Sequence, residues 1–316
     1  MRKGLPEGYE KVSLINRSDP YEVWEVKERS TGKCYSVKTL HLNPPKTHRD
    51  EKLFLYEAKI CKYIRHKNVL SACDTGCRDG VHYILSELCK GGSVDRLMEK
   101  KGGKLPLPLA TYITLQLLSG LEYLHSLDVR WTDLDIRPDK DILRAAHGGS
   151  TNGIVHWDIE PCHILLSDNS DHPTAKITDF SMASIIIDNR SYDPWVELDD
   201  IPPQRTFASR WEIMRGRRIG WKADVWSAAA CFYYMLTGQH PRNFRPGTNP
   251  IAVAVTEKCI PIRERDASIP PRLAAVIDKA LLEDSTNDCQ TAAGFRQNLI
   301  AAFPLDVLVY CRDLVK

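Results

Sequence analysis

Hydrophobic and polar positions along the first ninety residues alternate within short stretches that are rich in β-branched and aromatic side chains. Such stretches are typical of strands that bury one face. They cover Tyr9 to Leu14, Glu22 to Glu28, Cys34 to Leu40, the segment around Leu70 to Cys73, and Val81 to Leu88. The turn residues Ser30 to Lys33 separate the second stretch from the third. We therefore predict an antiparallel meander that two further strands complete.

A helical spacing, with apolar residues three or four positions apart, interrupts this region once and dominates after it. Between Asp50 and Ile64 one apolar stripe predicts a single helix. Beyond Gly91 and Gly92 the same spacing predicts helices over Ala110 to Leu127, Ala223 to Leu236, and Pro271 to Leu282. We therefore predict a small β-rich lobe over residues 1–88 and a larger helical lobe over residues 89–316.

The composition is sufficient for a buried core and argues against nucleic acid and membranes as partners. Hydrophobic residues make up 43% of the 316 residues, which is enough for a globular fold. Lys and Arg total 43 against 41 for Asp and Glu, so the net charge of +2 offers no long-range attraction for nucleic acid. No apolar run approaches the roughly 20 residues of a membrane span, and the first residues lack an apolar signal segment. We expect a cytoplasmic protein without a membrane span.

The ten cysteines are scattered along the chain, which favours reduced, buried thiols over a disulfide framework. Cys73 and Cys77 are close in sequence, but no second pair of ligands is near enough to complete a zinc site. We therefore expect no metal at this pair.

A series of short motifs follows along the chain in one order. They are Tyr35-Ser36-Val37-Lys38, Glu57, Ile84 to Cys89 followed by Lys90 to Ser93, Leu117 to His125, His156 to Pro161, Asp179-Phe180-Ser181, Asp224 to Ser227, and Leu236-Thr237-Gly238. Taken together they resemble the motifs of a eukaryotic-type serine/threonine protein kinase domain. Two later segments, Ile269 to Leu273 and Thr291 to Arg296, are most similar to the bacterial members of that family. The resemblance implies a bilobal α+β protein kinase fold with a nucleotide cleft between the lobes.

The resemblance also implies a role for each matching side chain. Lys38 would pair the α- and β-phosphates of ATP, and Glu57 would hold the lysine ammonium in place. Asp179 would bind Mg²⁺, and Asp158 would accept the proton of the attacking hydroxyl. The nucleotide-binding residues would further include Val23, Ser36, Glu87 and Cys89. ATP and Mg²⁺ are therefore the expected cofactors.

The loop that covers the phosphates departs from the family pattern. The three glycines of that pattern fall at Asn16, Ser18 and Tyr21, and Pro20 precedes the last of them. Glycine serves there because backbone N–H groups must approach phosphate closely, which a Cβ or a missing N–H opposes. We expect the nucleotide to be held less closely than in the family.

The loop around Asp158 departs from the pattern as well. The lysine expected two residues later is Glu160, and unit charges about 4 Å apart interact by roughly 4 kcal/mol at an effective dielectric near 20. Attraction for the γ-phosphate is thereby replaced by repulsion. The asparagine expected five residues after Asp158 is His163, and imidazole is a poorer Mg²⁺ ligand than an oxygen. We expect a one-metal site, with His163 at most a weak second ligand.

Residues that support the catalytic site without taking part in the chemistry also differ from the family pattern. The arginine expected before Asp158 is Trp157, so a phosphorylated activation loop would lack its usual docking cation. The Ala-Pro-Glu that ends the activation segment appears as Arg210-Trp211-Glu212, and the late arginine that pairs with this glutamate in the family is Asp288. We expect Glu212 to lack its ion-pair partner.

The catalytic-loop pattern occurs twice. Asp135 to Asp139, followed by Ile142-Leu143, repeats the pattern of Asp158 to Cys162 followed by Ile164-Leu165. Spacing from the preceding helix favours the earlier copy, whereas spacing to Asp179 through a β-hairpin favours the later one. We prefer the later copy because a hairpin fixes register more tightly, and interpret residues 128–155 as an inserted surface loop. Coincidence within a short motif is the alternative.

Three functions fit these residues. The first is a regulatory or scaffolding pseudokinase that still binds ATP through Lys38 and Asp179 and acts on a protein partner. The second is a slow but genuine serine/threonine kinase that uses Asp158 as its base, with Arg137 or another inserted cation replacing the lost lysine. The third is a fold remnant that binds no nucleotide. We favour the first two because the charged residues of the site, including Glu57, are retained; the identity of the partner does not follow from the family.

Overall fold

The computed structural model describes residues 4–18, 20–41, 48–129, 153–187, 190–192, 206–209, 220–282 and 291–315. One antiparallel sheet of five strands, in the order β1-β2-β3-β5-β4, forms the first part of the fold. Its strands are β1 (Tyr9–Ser18), β2 (Tyr21–Glu28), β3 (Cys34–His41), β4 (Ala72–Arg78) and β5 (Val81–Glu87). Helix α1 (His48–Tyr63) connects β3 to β4 and packs on the sheet. The predicted β-rich lobe with one helix is confirmed.

The fourth strand begins later than the sequence predicted. The apolar run Leu70 to Cys73 suggested a strand, but β4 starts at Ala72. The Leu70 N–H donates to the carbonyl of Ile177 at 2.8 Å, and Val69 forms a parallel bridge with the same residue. Val69, Leu70 and Ala72 are therefore apolar because they are buried where the five-stranded sheet meets the second part of the chain.

The two faces of the five-stranded sheet have different neighbours. One face carries a small buried cluster of Leu5, Val26, Val37 and Leu85. Leu40 and Ile84 belong instead to the main core, together with Phe54 of α1. Because side chains alternate along a strand, Lys38 lies on the same face of β3 as Leu40, toward α1. This alternation points the lysine into the interior.

Two buried helices form the centre of the second part. They are α3 (Leu107–Ser126) and α4 (Lys222–Thr237), which pack against each other and are apolar on nearly every side, as buried helices are. Around them lie α2 (Val94–Lys100), α5 (Pro250–Thr256), α6 (Ile262–Arg265), α7 (Pro271–Ala280), α8 (Ala292–Ala302) and α9 (Leu305–Tyr310). The predicted helices are confirmed, with shifted ends. Among the helices that the structure describes, none combines the length and the apolar character that crossing a bilayer requires.

Two short three-stranded sheets complete the described fold. One contains β6 (Gly92–Ser93), β8 (Ile164–Leu166) and β9 (Ala175–Ile177), and the other contains β7 (Ile154–Val155), β10 (Ser184–Ile187) and β11 (Arg190–Tyr192). Ile164 pairs with Ile177 in the β8–β9 hairpin. This register places the residues just before β8 beside those just after β9, and so sets Asp158 near Asp179.

Candidate active site

Lys38, Glu57 and Asp179 meet from three different elements. Lys38 lies on β3, Glu57 lies on α1, and Asp179 follows β9. Nζ of Lys38 is 2.8 and 3.0 Å from the two carboxylate oxygens of Glu57 and 3.2 Å from Oδ2 of Asp179. The sequence predicted these three side chains for the phosphate and metal site, and the structure brings them together.

Burial and mutual charge shift the pKa of all three groups. Burial alone would lower the pKa of Lys38, but Asp179 and Glu57 outweigh it and raise that pKa. Burial alone would raise the pKa of Asp179, but Lys38 and His163 hold it well below its ordinary value. Burial raises the pKa of Glu57 to about 7, against the opposing effect of Lys38 and with added repulsion from Asp179. Lys38 and Asp179 are thus the firmly charged pair, while burial opposes the charge of Glu57 and Lys38 favours it.

Ser181 orients the carboxylate of Asp179. The serine replaces the glycine of the family pattern, and its hydroxyl donates to Oδ1 of Asp179 at 2.6 Å. Its backbone N–H also approaches Oδ1, at 3.3 Å. Asp179 has a φ of 63°, a left-handed conformation that is uncommon outside glycine. These contacts engage Oδ1 and leave Oδ2 directed at Lys38.

Asp224 anchors the loop that carries Asp158. The Asp224 carboxylate is completely buried and accepts the backbone N–H groups of His156 and Trp157, each at 2.8 Å. It also lies 2.9 Å from Nε2 of His125. Trp157 has a φ of 66°, so these hydrogen bonds stabilise an unfavourable backbone conformation immediately before Asp158.

Trp157 fills space where the family pattern has an arginine. Its side chain is 3% exposed and belongs to a small cluster with Val155, Met182 and Ala223. The indole N–H donates to the hydroxyl of Ser184. The position has therefore become part of the core.

His163 lies among carboxylates beside Asp158. Its Nδ1 is 2.9 Å from the backbone carbonyl of Asp158, 3.5 Å from Oδ2 of the same residue and 3.6 Å from Oε1 of Glu160. Its Nε2 is 4.0 Å from Oδ2 of Asp179. Burial alone would lower the pKa of His163, but Asp179, Asp158 and Glu160 raise it. An imidazole surrounded by carboxylates thus occupies the position of an amide in the family pattern.

A cleft of about 350 Å³ lies beside the Lys38 cluster. Of the residues predicted for the site, those that line it are Val23, Ser36, Lys38, Glu57, Cys89, His163 and Asp179. The carboxylate of Glu87 instead pairs with Nζ of Lys176 at 2.9 Å. Its backbone carbonyl accepts a hydrogen bond from the Ser36 hydroxyl at 3.0 Å. Glu87 can therefore serve a ligand in the cleft through its backbone only.

The hairpin between β1 and β2 occupies the position of the phosphate-covering loop. Asn16 pairs with Val23, and Ser18 pairs with Tyr21, so strand pairing continues almost to the tip. The Tyr21 ring centroid is 5.0 Å from Nζ of Lys38, and the ring stacks on Phe54 with 6.1 Å between centroids. A bulky ring thus covers the ammonium that was expected to meet phosphate.

Several predicted positions lie outside the described residues. They are Asp135 to Asp139 with Arg137, Ile142-Leu143, Arg210 to Glu212, and Asp288. Of the two catalytic-loop-like segments, the later one is placed beside Asp179.

Two features of the site were not predicted from the sequence, namely the contact of Tyr21 with Lys38 and the thiol of Cys162. The Cys162 thiol donates to Oε1 of Glu160 at 2.8 Å. A signal for Cys162 was present, because Glu160-Pro161-Cys162-His163 groups three ligand-type side chains within four residues. For Tyr21 the sequence indicated only a bulky residue at a glycine position, whereas its contact with Lys38 depends on the antiparallel pairing of β2 with β3, in which Tyr21 lies opposite Leu40.

Comparison with known proteins points to one family. The family model "Protein kinase domain" matches residues 9–137 and 140–293. A probable serine/threonine-protein kinase of Clostridium perfringens is 25% identical over 293 residues, which cover 92% of this chain and 37% of the relative. Serine/threonine-protein kinase PknB of Mycolicibacterium smegmatis is 26% identical over 305 residues, covering 94% and 43%. The chain thus spans less than half the length of these curated relatives.

Proposed function

Because this chain belongs to the protein kinase family, we propose that it is an ATP-binding kinase domain with impaired phosphoryl transfer, which acts as a regulatory or scaffolding partner of another protein. The observation that carries this proposal is a contrast within one site. The Lys38–Glu57–Asp179 cluster is assembled, whereas Glu160 and His163 occupy the positions that handle the γ-phosphate and second metal in the family.

Support for nucleotide binding comes from the cluster and the cleft beside it. A protein kinase needs the ion pair of Lys38 and Glu57, and the metal-binding Asp179, in place at the same time. The contacts of Lys38 with Glu57 and with Asp179 are both present, and Val23, Ser36 and Cys89 line the adjoining wall of the cleft. In this proposal Lys38 pairs the α- and β-phosphates.

The residues present fit one Mg²⁺ ion and fit a second poorly. Asp179 offers a carboxylate oxygen, the type of ligand that Mg²⁺ prefers. His163 offers an imidazole nitrogen in place of the amide oxygen of the family pattern, and Mg²⁺ prefers oxygen ligands. Mg²⁺ at Asp179 would supply charge neutralisation for the phosphates, while this chain's own side chains orient the nucleotide.

Support for impaired transfer comes from Glu160. Its carboxylate lies 3.6 Å from His163 and belongs to the loop that positions Asp158. A negative charge at this position opposes the approach of a γ-phosphate. The charge of Glu160 therefore affects the transferred γ-phosphate and leaves the adenine end of the cleft unchanged.

The melting temperature of the purified chain tests this proposal. We expect ATP with Mg²⁺ to raise it, because a ligand that binds only the folded state stabilises that state. Lys38→Ala should abolish the shift, and Lys33→Ala is the matched control, since Lys33 lies in contact with the ring of Tyr35 outside the cleft. An unchanged melting temperature at saturating ATP would contradict nucleotide binding.

A slow serine/threonine kinase is the second candidate, and the formed Lys38–Glu57 ion pair favours it. In that case Asp158 accepts the proton of the substrate hydroxyl. Transfer of labelled phosphate to a protein, lost in Asp158→Ala while ATP still raises the melting temperature, would support this candidate. Equal labelling by the parent and by Asp158→Ala would contradict it.

The division of the chain is also part of the proposal. We place the boundary between the lobes after residue 88, because β5 ends at Glu87 and Gly92 already pairs with β8. A Cβ on Gly153 would lie 2.3 Å from the carbonyl oxygen of His125, so the chain returns to the end of α3 at that residue. This closeness supports an insertion between α3 and β7. Ile154 and Val155, which were included in residues 128–155, form β7 and so lie outside the insertion.

A further inference from the structure

Glu160, Cys162 and His163 bring three kinds of metal ligand together in one turn. A carboxylate oxygen, a thiol sulfur and an imidazole nitrogen all lie within 4.8 Å of one another. Sγ of Cys162 is 2.8 Å from Oε1 of Glu160, and Nδ1 of His163 is 3.6 Å from the same oxygen. Around a tetrahedral zinc ion with bonds of about 2.0–2.3 Å, ligand atoms are roughly 3.3–3.7 Å apart. The three groups therefore need only small movements to share one ion.

We propose that Glu160, Cys162 and His163 form a Zn²⁺-binding site. Thiolate and imidazole are ligands that zinc prefers, whereas Mg²⁺ prefers oxygen alone. Three protein ligands leave a fourth tetrahedral position. Oδ2 of Asp158, which is 3.5 Å from Nδ1 of His163, is close enough to fill that position directly or through water.

The backbone conformation positions Glu160 and His163 before any ion is bound. Pro161 begins a short 3₁₀ turn over Pro161–His163, and the His163 N–H donates to the Glu160 carbonyl at 2.9 Å. Residues three apart in a 3₁₀ turn project on the same side, and proline fixes φ at its start. Glu160 and His163 therefore face each other because of the turn, before any ion is bound.

The negative charges around the proposed site favour a divalent cation such as Zn²⁺. Carboxylates of Asp158, Glu160 and Asp179 surround His163, and Lys38 is directed at Asp179 and Glu57. On binding, zinc takes the place of the proton that Cys162 donates to Glu160. Nδ1 of His163 loses the proton that it donates to the Asp158 carbonyl, the ring keeps a proton on Nε2, and the Nδ1 lone pair then binds the metal. Cys162 is exposed, so the ion and the released protons have a path to solvent.

The site adjoins the nucleotide cleft, because Cys162 and His163 both line that cleft. None of its three ligands is Lys38, Glu57 or Asp179, so zinc binding can be measured separately, in the absence of nucleotide. The family pattern places lysine and asparagine at two of these positions. The substitutions that remove phosphate-handling groups are thus the ones that supply metal ligands.

Cobalt titration of the full chain, stripped of metal and free of nucleotide, tests the site. We expect one equivalent of Co²⁺ to produce thiolate-to-cobalt charge-transfer absorption, which Zn²⁺ then removes by displacement. Cys162→Ala should lose the charge-transfer band. His163→Ala should bind Zn²⁺ at least about tenfold more weakly.

The control is the double variant Cys73→Ser with Cys77→Ser, which removes the pair of exposed thiols on β4. It should keep the full band. The proposal is overturned if the parent shows no band, if Cys162→Ala retains it, or if the β4 variant loses it. If Cys162→Ala and the parent have equal melting temperatures in the presence of a chelator, a lost band reflects a lost ligand and not a lost fold. Glu160→Gln gives a second test, because it should also bind Zn²⁺ more weakly than the parent.

Discussion

The aromatic ring of Tyr21 lies over the ammonium of Lys38, with 5.0 Å between the ring centroid and Nζ. A tyrosine here replaces the last glycine of the phosphate-covering loop in the family pattern. A cation–π contact of this kind is worth about 0.5–2 kcal/mol. Phosphate that approaches Lys38 has to displace the ring or share the ammonium with it. The same side chain also stacks on Phe54, so it stabilises the lobe while covering the lysine.

Tyr21→Gly should bind Mg²⁺–ATP more tightly and fold less stably. Loss of the ring contact frees Lys38 for phosphate, for which we expect about a tenfold gain in affinity. Loss of packing on Phe54 should lower the free energy of unfolding by about 2 kcal/mol. Calorimetric titration and denaturant unfolding measure the two effects.

The control for Tyr21 is Tyr9→Ala. Tyr9 packs edge-on against Tyr35, with 5.6 Å between ring centroids, and this contact belongs to the opposite face of the sheet. This variant should lose stability without a change in nucleotide affinity. Weaker ATP binding by Tyr21→Gly would show that the ring assists the nucleotide.

Asp224→Ala should be among the most destabilising single changes in the chain. It leaves the buried N–H groups of His156 and Trp157 without their acceptor and removes the partner of His125. Breaking such a buried charged contact typically costs about 3–5 kcal/mol. Denaturant unfolding measures the loss. Glu10→Ala is the control, since Glu10 pairs with Arg29 and both side chains are exposed, and such pairs contribute about 1 kcal/mol or less.

The sequence was sufficient to predict the part of the site whose charged residues follow the order of the family motifs. Lys38, Glu57 and Asp179 were predicted together and lie together, because charged groups in a buried cluster tolerate few replacements. The start of β4 and the orientation of Glu87 were not predicted. Both depend on long-range pairing, of Leu70 with Ile177 and of Glu87 with Lys176, which local periodicity does not encode.

Trp157→Arg restores the family residue and should nevertheless unfold the loop. The arginine would have to be placed among Val155, Met182 and Ala223, where its charge meets apolar surface. An unpaired buried charge costs several kcal/mol. We expect a fall in melting temperature of many degrees, measured beside Trp157→Phe, which keeps an apolar ring and loses the hydrogen bond from the indole N–H to Ser184. A melting temperature of Trp157→Arg equal to that of the parent would contradict this account.

His240 should make the chain lose stability on mild acidification. It packs against Phe207, Tyr234 and Phe244, and burial lowers its pKa from 6.5 to about 4. The unfolded chain therefore binds the proton first, so the stability from neutral His240 is complete above pH 6.5 and decreases toward pH 4.

His240→Phe removes this proton and also Nδ1, a buried nitrogen without a hydrogen-bond partner within the described residues. The difference in unfolding free energy between His240→Phe and the parent should grow between pH 6.5 and 4, by at most about 3 kcal/mol. Denaturant unfolding at a series of pH values gives this difference. A difference that stays constant over this range would exclude His240 as its source.

Glu160→Lys combined with His163→Asn should raise the rate of phosphoryl transfer. The lysine replaces repulsion of the γ-phosphate by attraction, and the asparagine restores an oxygen ligand for a second Mg²⁺. Full Coulomb energies of about 4 kcal/mol do not apply, since the Glu160 side chain is 30% exposed and solvent screens it. A gain of about 1–3 kcal/mol corresponds to roughly a tenfold to hundredfold faster rate. Labelled phosphate transferred to a protein substrate, in excess Mg²⁺ and without zinc, measures it.

Two controls decide what a faster rate means. Adding Asp158→Asn to the double variant should remove the gain, because the proton of the hydroxyl then has no carboxylate to accept it. Glu99→Lys makes the same charge reversal at an exposed position on α2 and should leave the rate unchanged. If the double variant binds Mg²⁺–ATP and transfers no faster than the parent, then the charge of Glu160 does not limit the reaction. Tyr21 would then be the next residue to change, since its ring lies over Lys38, which pairs the α- and β-phosphates in this proposal.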